Sequence, residues 1–327
     1  MPGSLPGSAR GGGQGGGGYG GQGGGGQGGG GGDPAAAARA AALARASAAP
    51  FQNMHQPAPA ACTNGLERHL IKEGTVLAVS GLLTGGVLPA DGYPESVTSV
   101  DASSNKLVEL PECLFEALPH LAELNISTNA LRELPIDLCE CMGLRSIRAA
   151  HNRIGELSFA AQRPLASLTE LNVDRNSLGE VPAYLWACPS LKTVSLCANK
   201  LTLAALRMPG TDGGVRGGSM APLEHLDLGE NRLGALPPLG LFPRLREVHV
   251  QQNGLRELPV PQLVPLQQLQ TLDISMNDVS QLPPELAMLP VLQNLTIIGN
   301  PIRSIPQSVQ QRGATAVLDL LKKRLPG

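Results

Sequence analysis

Hydrophobic residues along most of this chain recur in one fixed frame around a series of asparagines. Successive asparagines are 24, 23, 24, 23, 32, 22, 24 and 23 residues apart. Aliphatic residues stand eight, five and three positions before each one, and another stands two positions after it. The series consists of Asn105, Asn129, Asn152, Asn176, Asn199, Asn231, Asn253, Asn277 and Asn300. A fixed period of this length is typical of a solenoid built from repeated units.

Within each unit the alternation of aliphatic residues has a period of two, which predicts a short strand with its aliphatic side chains facing inward. Stacking the units pairs these strands into one parallel sheet. The asparagine comes where the chain turns away, and its amide can bond backbone groups left without partners. A Leu-Pro pair follows most asparagines by five and six positions, as at Leu134-Pro135. It disfavours helix, so the convex side should be extended or 3₁₀. Strands repeat at about 4.8 Å and the convex side is bulkier, so the stack should curve.

The irregular units predict where the solenoid is interrupted and where it ends. The 32-residue spacing exceeds a normal unit by about nine residues rich in Gly, which predicts a loop insertion at 208–220. Leu82 stands where a preceding asparagine would be, so a degenerate first unit precedes nine regular ones over 75–307. We expect an N-terminal capping helix over 64–74 and a C-terminal capping helix over 308–327, because both carry aliphatic residues at helical spacing.

Composition separates the N-terminal segment from the repeats. Of the 41 glycines, 20 fall within residues 1–32, which predicts a disordered Gly/Gln-rich arm over 1–33 and an Ala/Pro-rich linker over 34–63. A net charge of −2 does not suggest a nucleic-acid partner, and no apolar run is long enough to span a membrane. Six cysteines form no disulfide framework, and no secretory leader is recognisable. We therefore expect a cytoplasmic monomer.

The repeated unit, LxxLxLxxNxLxxLP, is identified as the leucine-rich repeat. Residues 66–327 resemble the intracellular LPxxL-type leucine-rich repeat proteins, which include Ras-suppressor-like and plant Ras-group-related members. The segment LERHLIKE followed by LAVSG is similar to that family's N-terminal cap. The resemblance implies an α/β fold, a curved solenoid with a parallel concave sheet, a loop and 3₁₀ convex side and helical caps. It also implies a non-enzymatic protein-interaction scaffold with no catalytic residues and no cofactor.

The outward-pointing strand residues, four and six positions before each asparagine, are the candidate partner-binding site. Six of them are carboxylates and only one is Arg, which favours a basic or polar protein partner on the concave face. Simple solvation of a sheet face is the alternative. The candidates are Asp101, Glu123, Asn125, Arg148, Glu170, Asn172, His225, Asp227, Glu247, His249 and Asp273.

Two imidazoles and three carboxylates should form a checkerboard in adjacent strands. His225 falls beside Glu247, and His249 falls between Asp227 and Asp273. These are either solvated cross-strand pairs or a patch that contacts a partner or a metal. No metal-binding cysteine spacing is present. The functional alternatives are a regulator of a phosphatase or small GTPase pathway, a structural component of a large assembly, and an enzyme with a hidden concave site.

Overall fold

The computed structural model describes residues 69–72, 74–83, 86–89, 92–111, 114–158, 165–209 and 220–325. The arm predicted over 1–33 and the linker predicted over 34–63 lie outside these ranges, as does most of the insertion predicted at 208–220.

Eleven short strands form one sheet in which neighbours in sequence are neighbours in space. Strands β2 to β11 run parallel, and β1 pairs antiparallel with β2. The fold is the predicted curved solenoid with its sheet on the concave side. The strands are β1 (Leu70–Ile71), β2 (Val76–Ala78), β3 (Ser99–Asp101), β4 (Glu123–Asn125), β5 (Ser146–Arg148), β6 (Glu170–Asn172), β7 (Thr193–Ser195), β8 (His225–Asp227), β9 (Glu247–His249), β10 (Thr271–Asp273) and β11 (Asn294–Thr296).

The convex side consists mainly of short 3₁₀ segments, as predicted. Most follow an extended proline, such as Pro135, Pro182 or Pro283, which has no N–H to donate. None of the helices in the described ranges is long and apolar enough to cross a membrane. The 3₁₀ segments are Ile136–Glu140, Ala183–Ala187, Ala204–Leu206, Leu239–Leu241 and Pro284–Met288, and the helices are α1 (Val260–Leu263), α2 (Gln307–Gln310) and α3 (Ala314–Lys322).

One continuous aliphatic core runs through the stack. The central residue of every strand from β3 to β11 is buried beneath the sheet, because its two neighbours point to the opposite face. Trp186 and Phe242 add two aromatic rings, with centroids 6.0 Å apart. Trp186 is completely buried, and its Nε1 donates to the carbonyl of Leu206 at 2.6 Å. Met208, the first residue of the predicted insertion, and Ala221, which follows it directly, are also buried, so both of its ends are anchored in this core.

A ladder of asparagine side chains joins each unit to the one before it. In a central unit, Asn176 Oδ1 accepts from the N–H of Ile154 at 2.9 Å. Its Nδ2 donates to the carbonyls of Ala149 at 3.0 Å and Val173 at 2.9 Å, one in the preceding unit and one in its own. The other eight asparagines of the series make the equivalent contacts. Each amide thus satisfies backbone groups of two coils at once.

The residue before each ladder asparagine adopts a left-handed backbone. Its φ lies between 52° and 59° in the eight units where it is not glycine. This conformation costs an ordinary L-residue free energy, and Thr128, being β-branched, is an extreme case. Its recurrence shows that the hydrogen bonds of the turn outweigh the local strain. The eight residues are Ser104, Thr128, His151, Arg175, Ala198, Glu230, Gln252 and Met276.

The N-terminal cap differs from the prediction. A helix was expected over 64–74, but Leu70 and Ile71 form β1, which pairs with Leu77 and Val76. The prediction is therefore wrong for these two residues, and residues 64–68 lie outside the described ranges. Lys72 and Gly74 both have positive φ, which reverses the chain tightly enough for an antiparallel pair. The hairpin covers the backbone edge of β2 that a helix would have left open.

The C-terminal cap is helical, as predicted, but it is broken in two. Helices α2 and α3 are separated by Gly313, whose φ is 88°. Val317 and Leu321 of α3 are buried over the end of the core. Gln310 Nε2 donates to the carbonyl of Ile305 at 2.9 Å and ties α2 to the last unit. The cap thus shields aliphatic side chains that the final repeat would expose.

The ladder predicts a specific loss of stability. Replacing Asn176 with Ala leaves buried backbone donors and acceptors without partners, so we expect the free energy of unfolding to fall by about 1–3 kcal/mol. Ser177→Ala is the matched control, because Ser177 is only partly buried and its hydroxyl lies 3.5 Å from Lys200 Nζ. Urea denaturation of the full chain measures both. Equal losses in the two variants would contradict the role of the ladder.

Candidate functional site

The structure places all eleven candidate residues on the outward face of the sheet. Neighbouring strands are in phase from β2 to β11, so the first residues of the strands form one row and the third residues form another. Glu123, Glu170, His225 and Glu247 belong to the first row. The third-residue row contains Asp101, Asn125, Arg148, Asn172, Asp227, His249 and Asp273.

Five residues of the third-residue row have a structural role that the repeat pattern did not reveal. In each case a side-chain oxygen accepts from the N–H two residues later, at 2.8–3.2 Å. Asp and Asn suit this local bond equally well, because each offers an oxygen at the same place. The bond satisfies a backbone donor where the strand ends. The five are Asp101, Asn125, Asn172, Asp227 and Asp273.

Carboxylates in the first two regular units are already engaged by neighbours. Asp101 Oδ1 also accepts from the Ser103 hydroxyl at 2.7 Å and from Asn125 Nδ2 at 3.1 Å. Glu123 accepts from the Ser99 hydroxyl at 3.2 Å. These hydrogen bonds orient both carboxylates toward neighbouring side chains, so part of their accepting capacity is already used within the protein.

Arg148, the one cation of the two rows, is neutralised within the face. Its Nε and one terminal nitrogen each lie 3.0 Å from an oxygen of Glu170, a bidentate geometry. The guanidinium holds the pKa of the Glu170 carboxyl below its usual value, assisted by the Ser146 hydroxyl at 3.1 Å. The pair is partly exposed, so it fixes both side chains more than it stabilises the fold. Neither charge is left for a partner.

Strands β8 to β10 present a different surface. Asp227, Glu247 and Asp273, with His225 and His249 between them, form what we call the acidic patch. His225 Nδ1 lies 3.2 Å from Glu247 Oε2, and the strand register sets His249 beside both aspartates. Part of this surface is a shallow depression of about 380 Å³ over β7 to β9. In the part of the chain that the structure describes, no Lys or Arg forms an ion pair with these three carboxylates.

Asp227 is held in an environment that opposes its charge. Burial raises the pKa of its carboxyl, while the Gly229 N–H and His249 act in the opposite direction. Nearby Asp174 and Asp273 raise the pKa further. An ionised, half-buried carboxylate among like charges lowers the stability of the fold, and it also attracts cations. Groups that bind ligands often combine these two properties.

Two neighbouring residues were missed by the sequence analysis, because they lie two positions before their asparagines. Asp174 accepts from the Ser195 hydroxyl at 2.6 Å and from the Cys197 N–H at 2.8 Å. Side chains at this position therefore extend the concave face by a third row. Burial raises the pKa of the Cys197 thiol to about 12, and Asp227 and Asp174 add to the shift. Cys197 is consequently a neutral thiol at physiological pH and a poor nucleophile.

The checkerboard geometry agrees with the predicted register, but it does not assemble a metal site. Within the described ranges, no three His, Cys, Asp or Glu side chains converge in a way that could hold a metal ion. Of a metal and a protein partner, the two ligands considered for this patch, a partner is the one that suits partly exposed carboxylates with no Lys or Arg beside them in the described ranges.

No protein-family model matches the chain. Solved structures of similar fold include the leucine-rich repeat domain of APL1B, with 21% identity over 69% of this chain and 65% of that chain and a TM-score of 0.55. A TDR receptor has 22% identity over 64% and 40%, with a TM-score of 0.50. The Toll–Spatzle complex of Drosophila has 20% identity over 64% and 31%, also with a TM-score of 0.50. These likenesses show a leucine-rich repeat fold, and this chain spans less than two thirds of each of those chains.

The environment of Asp227 predicts that Asp227→Asn stabilises the fold at neutral pH, by up to about 1 kcal/mol. Asn keeps the bond from the Gly229 N–H, as Asn125 and Asn172 do with equivalent N–H groups, and removes the disfavoured charge. Because the folded-state pKa is raised, the wild type is relatively most stable below the unfolded pKa of about 4. It loses that contribution as pH rises through the folded pKa.

Urea denaturation at pH 7.5 and at pH 4 measures the difference between variant and wild type. We expect a gap at pH 7.5 that narrows at pH 4. Asp101→Asn is the control, because Asp101 is supported by three hydrogen bonds and its replacement should give no gain. A variant that is less stable than the wild type at pH 7.5 would contradict this account of Asp227.

Proposed function

We propose that this protein is a non-catalytic interaction scaffold or regulatory subunit that binds a protein partner on its concave sheet. The acidic patch is the principal contact. The observation that carries the proposal is a contrast along one face. The carboxylates of β3 to β6 accept from neighbouring Ser, Asn or Arg side chains. Those of β8 to β10, within the described ranges, meet histidines and backbone N–H groups but no Lys or Arg.

The chemistry of the acidic patch selects a basic partner. Carboxylates in adjacent strands about 4.8 Å apart can be contacted by successive Lys or Arg side chains of one segment. A single-sign surface also increases the rate of encounter with an oppositely charged molecule. Because the curved sheet is preformed, little conformational entropy is lost by this chain on binding.

The comparisons support a protein as the ligand. The Drosophila structure of the same fold is a complex of Toll with another protein, Spatzle. The ending of this chain, GNPIRSIPQSVQQRGATAVLDLLKKRLP, resembles the C-terminus of leucine-rich repeat-containing protein 40. On that resemblance we assign the chain to the intracellular LPxxL type. We also propose that it acts in the cytoplasm as a monomer, in signal transduction and without a cofactor.

A regulator of a phosphatase or small GTPase pathway is a second candidate, favoured by the resemblance to Ras-suppressor-like proteins. A regulator changes the activity of its captured partner in proportion to its concentration. A passive scaffold leaves that activity unchanged and only brings partners together. Titrating the purified chain against the catalytic activity of a captured enzyme separates these two roles.

Affinity capture with paired variants tests the proposed site. The double variant Asp227→Asn/Glu247→Gln should retain at least ten times less of a protein captured by the wild type from a cell extract. Asp101→Asn/Glu123→Gln removes the same charge from engaged positions and should capture as the wild type does. Equal capture by both double variants would show that the acidic patch is not the contact.

A further inference from the structure

The last repeat differs from the others in the third row of the concave face, two positions before its asparagine. The eight preceding regular units carry Ser, Ala, Asp, Cys, Gly or Gln there, beginning with Ser103. The last unit carries Ile298, whose side chain is 70% exposed. So exposed an aliphatic side chain adds little to the stability of the core, so a role in binding is a better explanation for an Ile at this position.

Met276 lies beside Ile298 and enlarges the apolar surface. It is 54% exposed, and its N–H donates to the carbonyl of Ile298 at 2.8 Å. A Cβ added at Gly299 would collide with Met276 Sδ, so the absence of a side chain at 299 lets the thioether lie across the backbone. We call Met276, Ile298 and Gly299 the apolar patch.

The apolar patch continues the same face as the acidic patch. Side chains two positions before the asparagine reach the strand rows, as the 2.6 Å contact between Asp174 and Ser195 shows. Ile298 follows the end of β11 by two residues, three strands beyond β8. At about 4.8 Å per strand and about 3.3 Å per residue, Asp227 and Ile298 are about 16 Å apart. An extended chain covers that distance in four to five residues.

We infer that the partner contributes an extended segment in which a Lys or Arg is followed or preceded, four to five residues away, by a large apolar side chain. The cation binds at Asp227 and Glu247, and the apolar side chain packs on Met276 and Ile298. This inference rests on the proposed function, whose basic partner it describes more closely.

A second copy of the chain fits this surface less well than a basic segment does. Two exposed apolar side chains bury far less than the roughly 1,200 Å² that a stable interface needs. A copy also has a net charge of −2 and would bring no excess of cations to the carboxylates. The opposite charge of a basic segment complements the acidic patch directly.

Selection from phage-displayed random dodecapeptides, with the full chain as bait, tests the inference without a known partner. The wild type should enrich peptides that pair a Lys or Arg with Leu, Ile, Met or Phe at a separation of four to five residues. A synthetic peptide with the enriched sequence should bind the wild type in fluorescence anisotropy, about ten times more weakly to Ile298→Ser, and equally to Val108→Ser. Val108 is a matched control, because it is 55% exposed and belongs to the first regular unit.

The outcomes distinguish this inference from the proposed function. Basic peptides that lose binding in Asp227→Asn but not in Ile298→Ser, or that show no preferred spacing, would overturn the inference and leave the acidic patch as the contact. Failure to enrich any basic peptide, or binding indifferent to Asp227→Asn, would overturn both. A wild type that sediments as a dimer and an Ile298→Ser variant that sediments as a monomer would assign the apolar patch to a second copy.

Discussion

The side-chain amide of one asparagine per repeat is the interaction on which the rest of this structure depends. Each coil leaves backbone donors and acceptors at the turn after its strand, and these lie too deep for water to serve. The asparagine of the next unit accepts from one coil and donates to both, as Asn176 does with Ile154, Ala149 and Val173. Only one relative placement of two units satisfies all of these bonds. The ladder therefore fixes the register that brings the strands into phase.

Because the strands are in phase, equivalent residues of successive repeats form rows along the concave surface. The candidate site is the part of those rows whose composition differs from the rest. In the N-terminal half the polar side chains are used within the protein: Asp101 with Asn125, and Arg148 with Glu170. In the C-terminal half, within the described ranges, the carboxylates at 227, 247 and 273 pair with no Lys or Arg, and Glu247 faces only His225. Ile298 extends the same face with apolar surface. The candidate site is thus the part of the sheet where the carboxylates are not neutralised by an Arg or Lys of this chain and lie next to exposed apolar surface.

Features that depend on the repeat period alone could be predicted from the sequence. The strands, the ladder, the convex 3₁₀ segments and the two concave rows follow from residue spacing, because the spacing determines to which side of the coil each side chain points. The predicted N-terminal helix is wrong at Leu70 and Ile71. A short aliphatic pair fits a helix and a strand equally well, and here it forms a strand because it pairs with the open edge of β2. Diagonal contacts between units could not be predicted either. The diagonal bond from Arg148 to Glu170 and the placement of Met276 across Gly299 require coordinates.

Chemical-shift mapping by NMR, with the isotopically labelled full chain and a short arginine-rich peptide, tests most directly whether the concave face is divided in this way. A cationic probe should perturb the backbone amides of β8 to β10 and leave those of β3 to β6 unchanged. The perturbations should decrease with added salt, since the contact is electrostatic. Equal perturbation around Glu123, Glu170 and Glu247 would contradict the account, because it would mean that the internal hydrogen bonds of the N-terminal half do not withhold its carboxylates from a ligand.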